Sequence, residues 1–199
     1  MANQHNPFKI KHNNLPPSQG SLLISEPFLQ DSYFQRAVVL LIQHNAEGSM
    51  GFVLNKKTDY VLNSFFPELK NVQDIPLYLG GPVSSNRLFF IHSLGESVVP
   101  QTMPINKDLC FDGDFEFLKN YILEGNPVEG KIKFFLGYSG WTKGQLGTEI
   151  SSNSWLVSQE TQNQPMLLAE GEAFWKSSLE VLGEKYQTWT RFPKDPHMN

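Results

Sequence analysis

Apolar positions along the chain fall into short runs with two different periods. Leu22-Leu23-Ile24 reads as a short strand that Pro27 ends. Ala37 to Ile42 is apolar at every position, as a strand covered on both faces would be. Asn45-Ala-Glu-Gly48 has hairpin length, and Phe52-Val-Leu54 returns as the partner strand. Val61 to Phe65 predicts a short helix or turn that Pro67 terminates. Strands are expected at Leu77–Leu79 and at Arg87–His92, with Leu88, Phe90 and His92 on one face.

Helical spacing appears between the later strands. Asp112 or Asp114 caps a helix through Glu124, with Phe115, Leu118 and Ile122 on its buried side and Gly125 after its end. Glu170 to Leu182 is the other clear helix, with Trp175, Leu179 and Leu182 on one side and Gly183 closing it. Met166–Leu168 reads as a short strand.

The stretch from Lys131 to Leu156 organises the rest. Ile132, Phe134 and Leu136 point to one side of a strand, Lys133 and Phe135 to the other. Gly137 is expected to end it, and Gly140 follows. Thr142 and Gln145 have capping-box spacing before a short helix carrying Leu146 and Ile150. Ser151, Ser152 and Asn153 stop that helix, and Trp155-Leu156-Val157 begins the next strand. Strands in hairpins and clusters, without strict βαβ alternation, predict an α+β domain with a mostly antiparallel or mixed sheet and three to four helices. The 199 residues are expected to form a single domain over residues 20–192. Residues 1–19 read as a mobile arm and residues 193–199 as a polar tail.

Charge narrows the function classes. A net charge of −4 argues against a protein that works by neutralising phosphates, so specific DNA binding is not expected. The single cysteine, Cys110, fits a reducing compartment. The longest wholly apolar run has six residues, too few to span a bilayer, and the polar N-terminus lacks the apolar core of a secretory leader. A cytoplasmic protein is the expectation.

Candidate chemistry is sparse. Gly137-Tyr-Ser-Gly-Trp141 sits where a nucleophile elbow would, but Trp141 occupies the place of the second glycine. Ser139 is therefore read as a turn residue, and a hydrolase using it is a third-ranked reading. His44 and His92 each end an apolar strand, and two such residues could meet at one rim, yet no third metal ligand is spaced with them. No metal or cofactor is expected, since no nucleotide-binding glycine motif is present. Gly80-Gly81-Pro82 after a strand either turns tightly or lets a backbone approach a ligand.

Three blocks carry a resemblance: GSLLISEPFLQDSYFQRAVVLLIQHNAEGSMGFVLNK from Gly20, PLYLGGPVSSNRLFFIHS from Pro76, and GYSGWTKGQLGTEISSNSWLV from Gly137. In order and spacing they resemble the YqgE/AlgH family of bacterial proteins, from Gly20 to about Leu182. The family usually has Ser at the place of Ala37, Arg-Pro at Lys56-Lys57, and often Ala at Ser139. The resemblance implies a bifurcated sheet curled into a partial barrel and implies no particular activity. Some members carry the name of transcriptional regulators, which makes a regulator touching DNA the second reading. The first reading is a non-enzymatic binding or regulatory domain with a protein or small-molecule partner. Its surface is expected to combine Gly80, Gly81, Pro82, Tyr138, Trp141, Thr142 and Gln145 with His44 and His92, because rigid aromatics flanked by glycines suit recognition. Oligomeric state is left open.

Overall fold

Residues 13–159 and 165–193 are described by the structure, a computed structural model. Ten strands and four α-helices follow one another as β1 (Leu22–Ser25), β2 (Val38–Asn45), β3 (Gly48–Val53), β4 (Lys57–Val61), β5 (Pro76–Leu79), β6 (Val83–His92), β7 (Met103–Pro104), β8 (Cys110–Phe111), α1 (Phe115–Leu123), β9 (Ile132–Thr142), α2 (Gln145–Ser151), β10 (Trp155–Ser158), α3 (Gly171–Val181) and α4 (Glu184–Gln187). The sheet runs β10-β1-β2-β3-β9-β6-β8-β7, with β5 also beside β9 and β4 beside β5. Every pairing is antiparallel except β5 with β9. The fold is α+β, and its sheet forks without closing into a barrel.

The fork is at β9. Its first half pairs Phe134–Leu136 with Leu77–Leu79 of β5 on one edge, and with Leu88–Phe90 of β6 on the other. Its second half exchanges β5 for β3, with Ser139 opposite Gly51 and Thr142 opposite Gly48. Gly80 fills the junction. Its N–H donates to the Leu136 carbonyl at 2.9 Å, and its carbonyl accepts from Val53 N–H at 2.9 Å. A Cβ on Gly80 would lie 2.2 Å from the Gly137 oxygen, so only glycine allows this approach. The backbone that Gly80-Gly81 admits is therefore β9.

β9 does not end at Gly137. Gly137 takes φ +68° and acts as a bulge, so the strand continues to Thr142 and its side chains change faces. Phe135 and Tyr138 both pack with one core layer, while Trp141 packs with another. Ser139 is accordingly a strand residue.

The sheet is covered on both faces, as the run at Ala37–Ile42 predicts. Leu22, Ile24 and Leu40 face the layer under α3, with Trp175 donating its indole N–H to the Ser25 carbonyl at 2.9 Å. Leu23, Val39 and Leu41 face the layer under α2. A third layer joins α1, through Leu118 and Ile122, to Phe134, Leu77 and Phe90. Asp114 caps α1, its carboxylate accepting from the N–H groups of Glu116 and Phe117.

Other expectations shift. Pro67 begins a 3-10 turn at Pro67–Leu69, where its fixed φ suits a first helical position. Met166–Leu168 is a 3-10 turn, since its N–H groups bond locally. The strands β4, β7 and β8 went unpredicted because they are polar or only two residues long. Residues 1–12 and 194–199 of the expected arm and tail lie outside the described residues. Asn13, also assigned to the arm, exchanges two hydrogen bonds with the backbone of Val157 along β10.

Candidate functional site

The surface expected from sequence is gathered around the second half of β9, with one exception. Gly80, Gly81 and Pro82 lie at the fork beside Tyr138, and His44 is in the hairpin next to Trp141 and Thr142. His92 pairs with Ile132, whereas Ser49, the partner of His44, pairs with Trp141. Nine residues of strand separate those positions, about 30 Å at strand rise. The two histidines do not share a rim, and among the described residues no three His, Cys, Asp or Glu side chains group to hold a metal.

Exposure divides this group further. Trp141 is 5% exposed, wedged between Phe34 and Trp155 under α2. Its indole N–H and that of Trp155 both donate to Glu149 Oε2 at 2.8 Å. Trp141 is thus a core residue, and its ring offers no contact area. Tyr138 is half-buried against Phe89. Gly80, Gly81 and His92 are buried, leaving Pro82, Thr142, Gln145 and His44 in solvent. The capping box is half made. The Gln145 side chain accepts from Thr142 N–H at 3.0 Å, but the Thr142 hydroxyl donates to that same oxygen, and Gly144 takes the cap position in left-handed geometry.

Ser139 is fully buried, and its hydroxyl donates to the Gly80 carbonyl at 3.0 Å. It pins the fork. His92 lies between the Thr102 hydroxyl, 2.9 Å away, and the Asp112 carbonyl at 3.2 Å. Burial pulls its pKa below the ordinary value, with Asp112 opposing that in part.

A different place holds the unusual chemistry. Lys133 stands on the first half of β9, facing the same way as Phe135, and is 2% exposed. Its Nζ donates to the Ala169 carbonyl at 2.7 Å and reaches the Leu167 carbonyl at 3.5 Å. It also lies 3.4 Å from the centre of the Tyr78 ring. Tyr78 comes there because β5 runs parallel to β9 with Tyr78 opposite Phe135. Among the described residues Lys133 has no ion-pair partner within 4.0 Å. Burial without a counter-ion disfavours the charged amine and lowers its pKa to about 7, against the opposing pull of Glu170.

These residues border a cavity of about 600 Å³. Apolar walls come from Val72, Ile75, Ile122, Val128 and Leu167, and the exposed side chains of Lys57, Asp74, Glu129 and Glu170 add charge. Glu170 accepts from the Tyr78 hydroxyl at 3.3 Å and pairs with Lys57 at 3.3 Å. Burial, with the charge of Glu170, pushes the Tyr78 phenol up to about 12, so it stays protonated at neutral pH. A concave space with mixed apolar and charged walls and one buried perturbed amine has the character of a small-molecule site. Sequence reasoning missed it. The one available signal was a lysine sharing a strand face with Phe135 between two covered layers.

Three kinds of similarity accompany this geometry. Residues 22–187 match the profile of the family described as AlgH-like. A UPF0301 protein of Parabacteroides distasonis is 62% identical over 199 residues, the whole of both chains. A UPF0301 protein of Bacteroides fragilis is 50% identical over 192 residues, 96% of each chain. Among solved structures, the AlgH protein of Pseudomonas aeruginosa superposes with a TM-score of 0.66 at 27% identity, over 90% of this chain and 98% of that one. A Corynebacterium diphtheriae protein shares the fold, with a TM-score of 0.73 at 22% identity over 89% and 94% of the two chains.

Proposed function

The chain belongs to the AlgH-like family, and from that premise we propose that it is a non-enzymatic binding domain for a small, uncharged, largely apolar molecule with a polar head. The cavity beside Lys133 carries this reading. Its volume of about 600 Å³ falls within the range of roughly 300–1,000 Å³ common to ligand sites. Its walls favour an apolar body, and the Lys133 amine offers a donor within. Asp74, Glu129 and Glu170 outnumber Lys57 and Lys133 around it, which disfavours an anionic ligand.

Direct reading of DNA finds no support in a net charge of −4. A hydrolase using Ser139 finds none in a fully buried hydroxyl committed to a backbone carbonyl. A proton–nitrogen NMR titration with 1-octanol and 2-octanone tests the reading. Shifts should concentrate in residues 72–76, 125–130 and 167–170. Shifts centred instead on Val83, Thr142 and Gln145 would move the site to the fork.

A further inference from the structure

We propose that Lys133 is a nucleophilic amine that condenses reversibly with the carbonyl group of a small apolar aldehyde or ketone bound in the cavity. The inference rests on the binding reading above and goes beyond it, since a cavity can hold a ligand without reacting with it.

The geometry supports the step at three points. Lys133 borders a space whose apolar wall of Val72, Ile75, Val128 and Leu167 would hold the body of a carbonyl compound next to the amine. Two backbone carbonyls, of Ala169 and Leu167, can take two N–H groups, the full complement of a neutral amine. The remaining direction at nitrogen is then the lone pair, and because the Tyr78 ring lies 3.4 Å from Nζ the amine must turn off that ring to meet the ligand. Finally, the amine has no ion-pair partner among the described residues to hold it as ammonium, and its burial leaves a large neutral fraction at neutral pH.

The chemistry balances without oxidant or reductant. The Nζ lone pair attacks the carbonyl carbon and forms the C–N bond, while the π pair moves to oxygen, which takes up a proton. Nitrogen gives up a proton, leaving a carbinolamine. Its hydroxyl takes a second proton, the C–O bond breaks with loss of water as the nitrogen pair forms C=N, and loss of the last N–H proton gives the neutral imine. Glu170 lines the same cavity but bonds Tyr78 and Lys57 and not Nζ, so it can exchange these protons only through a water. Addition of water returns the free amine and carbonyl compound.

The test uses the full chain with octanal and sodium cyanoborohydride at pH 7.5, read by intact mass and peptide mapping. Cyanoborohydride delivers hydride to the imine carbon and fixes it as a secondary amine. Octyl transfer is expected on Lys133 at least tenfold faster than on Lys57, Lys143 or Lys185. An excess of 1-octanol, which has no carbonyl, should suppress it. At pH 7.5 the buried amine is already largely neutral, which is what sets its rate apart. Equal labelling of all lysines, with 1-octanol still shifting the cavity resonances, would overturn the condensation and leave the binding reading standing. Equal labelling with no octanol shifts would overturn both. Lys133→Arg keeps a donor but cannot form the imine, so it should bind 1-octanol and lose the fast site. Because the main readout is on the unaltered protein, poor folding of that variant would not rescue the proposal.

Discussion

Lys133 should make the folded protein less stable at neutral than at alkaline pH. An ordinary lysine titrates at 10.5, and burial lowers Lys133 to about 7. Between those values the unfolded chain holds a proton that the folded chain has released. Stability therefore rises with pH across the window. At full difference each pH unit is worth about 1.4 kcal/mol. The folded amine is half protonated at pH 7, so from pH 7 to pH 9 the integrated rise is about 2 kcal/mol. Urea unfolding of the protein and of Lys133→Met at both pH values measures it. Methionine keeps an unbranched stem and removes the titrating group. It leaves the carbonyls of Ala169 and Leu167 without this donor, but that cost is the same at both pH values. Tyr78 stays protonated at both pH values, so it does not enter the double difference. The unaltered protein should gain about 2 kcal/mol more than the variant between pH 7 and pH 9. An equal gain in both would mean that Nζ reaches water in the folded state, and the account of the cavity would fail.

Gly80→Ala should destabilise by on the order of 3 kcal/mol or more, because the new methyl group meets a backbone oxygen that cannot yield. Gly147→Ala, in open space within α2, should be neutral or gain up to about 1 kcal/mol; the two variants compared by chemical denaturation decide whether the fork is as tight as described. Trp175→Ala should cost about 3–5 kcal/mol from a fully buried site that also bonds Ser25, and a loss below about 1 kcal/mol in the same assay would show the ring to be outside the core. Mixed-sequence DNA at about 150 mM salt should give no complex in the range of roughly 10⁻⁸ to 10⁻¹¹ M typical of specific binders, and fluorescence anisotropy would reveal one.

Elements whose signals are local were legible in the sequence. The hairpin of β2 and β3, the capped α1 and the α3 helix each carry their own period and their own stop, and Trp155 and Trp175 are buried as those periods require. The fork was not legible, because Gly137 looks the same whether it ends a strand or bulges within one. What decides is that β3 and β6 lie alongside to continue pairing on both edges. Trp141 was misplaced for the same reason, since its face depends on the change of alternation at Gly137. The Lys133 site was hidden for a further reason. Its partners are Tyr78, 55 residues earlier in the chain, and Ala169, 36 residues later. Alternation placed Lys133 beside Phe135, but nothing near it in sequence says that residues 167–170 cover that face.

The position of β9 in the chain bears on how the molecule is made. Its neighbours β3, β5 and β6 all precede it, and none of their pairings with it can form until residues 132–142 have left the ribosome. The roughly 80 residues from Val53 to Ile132 take on the order of 4–16 s to synthesise. Through that interval the nascent chain carries strand edges open to the wrong partner. β2 covers one edge of β3, and β4 covers one of β5, but the edges that await β9 stay bare. A chain cut before Lys131 would keep those edges for good, so premature termination there should yield aggregates and not a smaller domain. The growing chain should therefore be most prone to aggregate before β9 is made, and that exposure should end once Thr142 has emerged.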